Sequence, residues 1–441
     1  MQGNYKDIIK IAAPVMVASI AQSSISFTDT AFLGKISNVY GAAIGIVSVY
    51  YLFFFMLGFS YTKSTQIMVA RRVGENNLPG VGEAFDNSLA TILGFGVILF
   101  LLMRFGTAPA LTLMIKDPEI RKAGIEWLEW RSYGIAFSLI GSVFLSFYMG
   151  ISRVIILAFG VISMAALNIF LNYGLIYGKF GMPAMGISGS ALASNIAEIY
   201  ACVLFVGYTL IMRFQSKYKL FHYASLSFAT MKRIAKLAGP IVAQAAIGLV
   251  AWGVFFYFVE KMGQTDAAIS SYVKSLYMFF GLFAWGFSTS ANTIISTLMG
   301  GEKHERVIVA LKNIVLLSFV FQVLVCIPLA IFPGWCVGLF TNDQALIAGC
   351  IPVVYVCIAA LLIYSVSTTL FHGIVSTGSV NSSLRIEVIT VALYLVFVGI
   401  IFHIPGKNVT IVWLAEVFYW VVLGGLTFAY LASGRWKKTK I

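Results

Sequence analysis

Long apolar runs separated by short polar breaks recur from one end of the chain to the other. Each run has 18 or more residues, enough to cross a hydrocarbon core of about 30 Å as a helix. The pattern predicts twelve spans, near 8–34, 41–70, 83–105, 122–150, 154–177, 186–212, 233–260, 267–299, 306–332, 346–374, 382–403 and 409–432. The alternation over about ten residues that marks a membrane barrel is absent. Residues 105–121, with Pro109, Lys116, Asp117 and Pro118, read as an interfacial turn before the fourth span. The expected fold class is an all-α integral membrane protein with twelve transmembrane helices.

The longest polar connection lies between the sixth and seventh spans, and the two sides of it repeat. Pro14 corresponds to Pro240 at a shift of 226, Gly74-Glu75 to Gly301-Glu302 at 227, and Gly150-Ile151 to Gly373-Ile374 at 223. Asn87 matches Asn313, and Asp117 matches Asp343, both at 226. Six spans per half point both halves the same way through the bilayer, a parallel repeat used by transporters that bind substrate between the halves. The expected organisation is an N-terminal six-helix bundle over 1–214, a cytoplasmic linker over 215–232 and a C-terminal six-helix bundle over 233–441.

Charge fixes the orientation. Of the 30 Lys and Arg, 19 fall on the side that carries the termini, 8 on the other side, and Lys63, Arg131 and Lys274 lie inside spans. The excess puts both termini in the cytoplasm of a multi-pass protein of the inner (plasma) membrane. The net charge of +13 therefore reflects loop placement and does not call for nucleic acid. Only 11% of residues are charged, against about 25% in soluble domains. Five scattered cysteines (202, 326, 336, 350, 357) read as small apolar side chains, without disulfides or metal. The run from Ile8 to Gly34 is too long for a signal-peptide core and is expected to remain as the first span.

A carboxylate in the bilayer core costs about 2.5–3.5 kcal/mol or more, so each one is a functional candidate. Asp29 stands out because Ser19, Gln22 and Ser26 precede it at helical steps, which makes a polar stripe on one face. A carboxylate whose charge depends on access to water can serve as a proton switch or a sodium ligand. The competing reading is an interfacial Asp that caps the helix or pairs with Lys35. Asn168 and Asn172 share a face of span five, where buried amides either join two helices or line a wet cavity. Glu198, with Ser194 and Asn195 nearby, is either a cavity residue or one member of a satisfied pair. Glu260, Lys274 and Glu416 fall in the outer parts of their spans, as a charge cluster or as interfacial residues. His372, alone in span ten, is expected to be a helix contact. There is no P-loop, no dinucleotide fingerprint, no H-E-x-x-H and no zinc spacing. The chain is accordingly expected to be no enzyme, to use no cofactor and no metal beyond a coupling ion, H+ or Na+, and to draw any pumping from an ion gradient.

Span five and its following loop run Asn168-Ile-Phe-Leu171-Asn172-Tyr-Gly174-Leu175-Ile176-Tyr-Gly178, then Gly181-Met-Pro183-Ala-Met-Gly186-Ile-Ser-Gly189. This resembles the signature of the multidrug and toxic compound extrusion (MATE) family. Asp29-Thr30-Ala-Phe-Leu-Gly34 and Val73-Gly74-Glu75 are similar to two further family motifs. The resemblance implies two six-helix bundles forming a V, and antiport of cationic or amphipathic small molecules (drugs, toxic metabolites) against H+ or Na+ by alternating access. In the subgroup coupling through the N-terminal bundle (DinF-like), the acid of span one is the coupling site, here Asp29. Asn168 belongs to the same cluster, and Gln22, Ser26, Asn172 and Glu198 would complete the cavity. Two departures stand out. Asn172 replaces the family's Asp, which removes one negative charge. Gly248 falls where another subgroup carries a glutamate, so coupling through the C-terminal half is not expected. Expected partners are small-molecule substrates and membrane lipid, with no nucleic acid, and the chain is expected to be a monomer. The rival readings are a flippase for lipid-linked saccharides, with a strongly cationic cavity, and a membrane receptor that moves nothing.

Overall fold

The computed structural model describes residues 3–222 and 226–439, so the middle of the expected linker and the outermost residues of the chain lie outside it. The described chain is helical from end to end. Its first half comprises α1 (Tyr5–Ile36), α2 (Asn38–Gly74), α3 (Leu78–Met114), α4 (Pro118–Ser132), α5 (Ile135–Gly150), α6 (Ile155–Tyr177) and α7 (Gly186–Ile211). A short α8 (Phe214–Tyr218) precedes α9 (Phe228–Glu260), α10 (Gln264–Gly300) and α11 (His304–Ile331). The chain continues through α12 (Pro333–Gly338), α13 (Gln344–Ser376), α14 (Val380–His403) and α15 (Val409–Ala432), and a 3-10 turn follows at Arg435–Lys438. Among the described residues, eleven helices are long and apolar enough to cross a bilayer singly, and α4 with α5 supplies a twelfth span bent by 51°. The twelve predicted runs all correspond to these elements.

Local chemistry sets several boundaries. Asp117 caps α4, its Oδ1 accepting from Glu119 N at 2.9 Å and Ile120 N at 3.1 Å, with Pro118 at the first helical position. Asp343 caps α13 in the same way, accepting from Ala345 N at 2.9 Å. A side-chain oxygen on the otherwise orphaned first-turn amides is the preferred helix start, so this pair of repeat markers is a pair of caps. The expected turn over 105–121 is a correction. The α3 helix continues to Met114 with Pro109 inside it, and only residues 115–117 separate it from α4. One face of the extension is buried through Thr107 and Leu111, and packing of that face offsets the hydrogen bond lost at the proline. Span four breaks at Gly134, where a Cβ would run into the Asn195 amide and the Arg131 guanidinium.

The chain forms two compact units, Val17–Val242 and Met1–Met16 with Ala243–Ile441. Their boundaries cut α1 and α9 just after Pro14 and Pro240. Within the first of these units, α3 holds the segment that leads into α9. Asp86 accepts the Phe221 and His222 amides at 2.8 and 2.9 Å, Asn87 Oδ1 accepts from Ser227 N at 2.9 Å, and the Thr230 hydroxyl donates to Glu83 at 2.6 Å. Within the second, Asn313 on α11 donates to Gly3 O, 3.1 Å away and just ahead of α1. The repeat-related Asn87 and Asn313 thus each hold the lead-in to the other half's first helix.

Candidate functional site

The unit Val17–Val242 buries a polar network built by α1, α2, α4, α5, α6 and α7. Asp29 on α1 is 6% exposed. The Asn172 amide on α6 donates to Asp29 Oδ1 at 2.5 Å and to Asn168 Oδ1 at 2.9 Å, one helical turn back. Asn168 in turn donates to the Ser194 hydroxyl on α7 at 3.1 Å. Both asparagines are fully buried. The i, i+4 spacing on α6 is what lets one amide serve the carboxylate and the next amide together. Asn172 Oδ1 is buried with no hydrogen-bond partner among the described residues. A buried acceptor without a donor is costly, and this one stands beside a carboxylate. The pair offers oxygen ligands to a proton or a small cation.

A second part of the network surrounds a guanidinium. Arg131 on α4 forms a two-pronged ion pair with Glu198 on α7, Nη1 reaching Oε2 at 2.8 Å and Nη2 reaching Oε1. Nη1 also donates to Asn195 Oδ1 at 2.8 Å, and the Asn195 amide donates to Trp130 O at 2.7 Å. The Tyr51 ring of α2 faces the guanidinium at 4.1 Å, and its hydroxyl bonds to Ser138 on α5 at 2.9 Å. Planar bidentate pairing with an aromatic face is the geometry that suits Arg. The buried positive charge is thereby neutralised within the unit.

Of the residues singled out from sequence, Asp29, Asn168 and Asn172 come together. Glu198 stands in the adjoining ion pair with Arg131. Gln22 and Ser26 are exposed and outside this buried network, although they share a helix with Asp29. The proposed association of Glu260, Lys274 and Glu416 does not form. Glu260 is exposed, Lys274 lies over the Phe256 ring at 4.9 Å, and Glu416 is buried with Tyr394 at 3.2 Å. His372 meets Asn292 Oδ1 at 3.2 Å from α13 to α10, a helix contact. Of the two readings open for Glu198, the structure shows the satisfied pair, and its partner is the intramembrane cation Arg131. The buried Glu387 of α14, two residues after exposed Arg385, is not among the residues that the sequence singles out. Among the described residues, no group of three or more His, Cys, Asp or Glu side chains is arranged to hold a metal ion.

The family model described as MatE matches residues 14–174 and 240–427. The chain is 24% identical to the "Probable multidrug resistance protein NorM" of Thermotoga maritima, covering 99% of this chain and 94% of that protein. It is 28% identical to the "Multidrug resistance protein PmpM" of Pseudomonas aeruginosa over 44% of this chain and 41% of that one. Among solved structures, a MOP superfamily transporter from Pyrococcus furiosus superposes with a TM-score of 0.91 at 18% identity, covering 98% of this chain and 97% of its own. The eukaryotic MATE transporter AtDTX14 gives 0.88 at 13% identity, with 98% and 96% covered. At such identities the structural likeness speaks to the fold alone.

Proposed function

The chain belongs to the MatE family of multidrug and toxic compound extrusion transporters, and on that premise we propose that it is a secondary antiporter that exports cationic or amphipathic small molecules in exchange for H+ or Na+. The observation that carries this reading is the Asp29 carboxylate, 6% exposed and tied to Asn172 at 2.5 Å, beside an amide oxygen without a donor. Such a carboxylate resists carrying an uncompensated charge. It therefore takes up a proton or a sodium ion in one state and gives it up when water or a cationic substrate reaches it. Differential binding of this kind is what a coupled conformational change requires. Asp29 is the coupling residue in this reading, as in the subgroup that works from the N-terminal bundle, and Asn168 and Asn172 position it. Gln22 and Ser26, exposed on the same helix, offer polar contacts to substrate. The termini lie on the cytoplasmic side of the inner membrane, in keeping with the distribution of Lys and Arg.

Glu198 is assigned to support and not to transport, because its charge is already spent on Arg131. That pairing engages Arg131, which leaves Lys63 as the other intramembrane cation of this unit, fewer than the strongly cationic cavity expected for a lipid-linked saccharide. The test is reconstitution of the purified protein into liposomes loaded with a fluorescent cationic dye, with an imposed H+ or Na+ gradient. Dye movement driven by one of these gradients supports antiport and identifies the ion. Movement independent of both would refute it.

A further inference from the structure

The unit formed by Met1–Met16 and Ala243–Ile441 contains two buried acids that the proposed coupling does not use. Glu387 lies on α14 and Glu416 on α15, each 4% exposed. Their partners are exchanged. Tyr419 of α15 donates its hydroxyl to Glu387 Oε1 at 2.6 Å, and Tyr394 of α14 donates to Glu416 Oε1 at 3.2 Å. The two tyrosine rings meet edge to face with centroids 5.6 Å apart. Each acid is the eighth residue of its 24-residue helix. Glu387 and Tyr394 lie seven residues apart on α14 and Glu416 and Tyr419 three apart on α15, so the crossed pairings put the two acids within about 10 Å of each other along the helix axes.

The surroundings supply no counter-charge. Around Glu416 stand Trp252 from α9, Tyr277 from α10 and Cys357 from α13. Tyr364 of α13 packs 4.6 Å from Trp420, next to Tyr419. Among the described residues no Lys, Arg or His forms a salt bridge with either acid. Lys274 of α10 lies over Phe256 instead, and Arg385 of α14 is exposed. The one Tyr419 hydroxyl cannot satisfy an ionised Glu387, which accepts at about four sites, and Glu416 is met, among the described residues, only by the neutral donors Tyr394, Trp252 and Tyr277. Keeping an uncompensated charge here would cost several kcal/mol. On the α9 side, Gly248 leaves space against Glu387. A Cβ there would meet only the Oε1 atom, at 3.6 Å, and the glycine itself is partly exposed. The lack of an acid at position 248 therefore does not leave this unit without one, because Glu387 occupies the neighbouring space.

We propose that Glu387 and Glu416 form a second proton-binding site of the transporter, in which Glu387 exchanges its proton with water entering beside Gly248. The step is a plain transfer: a carboxylate takes a proton from hydronium and leaves water, and the reverse reaction returns it. The Tyr394–Tyr419 pair holds both carboxyl groups in place whether or not they carry protons. This deepens the proposed antiport, and rests on that reading for its use in transport.

The test is infrared difference spectroscopy of the purified protein during a pH step, following the protonated-carboxyl stretching band. The Asp29→Asn variant should keep a pH-dependent band, and Glu387→Gln combined with Glu416→Gln in that background should abolish it. Tyr419→Phe preserves the packing and should shift the band frequency. Gly248→Ala should retain the band but slow its exchange into heavy water several-fold. In liposomes the double glutamine variant should lose proton-driven dye export several-fold. A band in the Asp29→Asn protein that the glutamine substitutions leave unchanged would overturn the proposal, and so would unaltered export. Should dye fail to move under any gradient while the band is present and lost as predicted, the proton site stands and the antiport reading fails.

Discussion

The Arg131–Glu198 pair makes a prediction that separates support from transport. Replacing Glu198 by Ala removes two hydrogen bonds and, among the described residues, the one carboxylate paired with a guanidinium that is 7% exposed. Breaking a buried pair by removing one member costs about 3–5 kcal/mol, because the remaining charge stays buried and uncompensated. Arg131 keeps Asn195 Oδ1 at 2.8 Å and the Tyr51 face at 4.1 Å. These partners place the loss at the lower end, about 3 kcal/mol, or roughly a hundredfold in the folding equilibrium. Converting both residues together to apolar groups of similar volume, Arg131→Met with Glu198→Leu, should recover most of that loss, since no buried charge is left. The assay is unfolding of the purified protein in detergent, with dye export by surviving protein measured alongside. The single variant should unfold far more easily than the wild type, and the double variant should approach it in stability and still export. A single variant as stable as the wild type would refute the reasoning. So would a stable double variant that had lost export, because it would move Glu198 into the transport machinery.

Two further outcomes follow from the same network. Gly134→Ala puts a methyl into the Asn195 amide and the Arg131 guanidinium, and should destabilise the protein by about 1–3 kcal/mol, measured by the same unfolding assay. Asn172→Asp places a second carboxylate beside Asp29, in contact now at 2.5 Å. Like charges at that distance favour a bound cation, so dye export in liposomes should become more dependent on Na+ than in the wild type.

Most of the fold was legible because a bilayer leaves one solution to a long apolar run. The repeat markers were legible too, and two of them prove to have mechanical roles: Asp117 and Asp343 cap helices, and Asn87 and Asn313 secure the entries to α9 and α1. The turn expected over 105–121 from Pro109, Lys116, Asp117 and Pro118 shrinks to residues 115–117, because packing along α3 carries the helix through Pro109. The break in span four was not legible, since nothing local to Gly134 announces that a side chain from α7 will lie against it. In the site, Asp29 and the Asn168–Asn172 pair declared themselves through intramembrane cost and helical spacing. The partner of Glu198 lies 67 residues away in sequence, a separation that no periodicity resolves. Gln22 and Ser26 share the stripe of Asp29 by spacing, but α1 turns only Asp29 into the buried network. For the C-terminal acids, a partner on the neighbouring helix decides the environment, and that is a property of the packed pair.

The central claim is that Asp29 couples export to an ion gradient. Its most direct test is accumulation of a fluorescent cationic dye in energised bacterial cells expressing the wild type or Asp29→Asn at matched levels. The predicted result is low accumulation with the wild type and accumulation equal to that of empty cells with the variant. Equally low accumulation with both would contradict the assignment of Asp29.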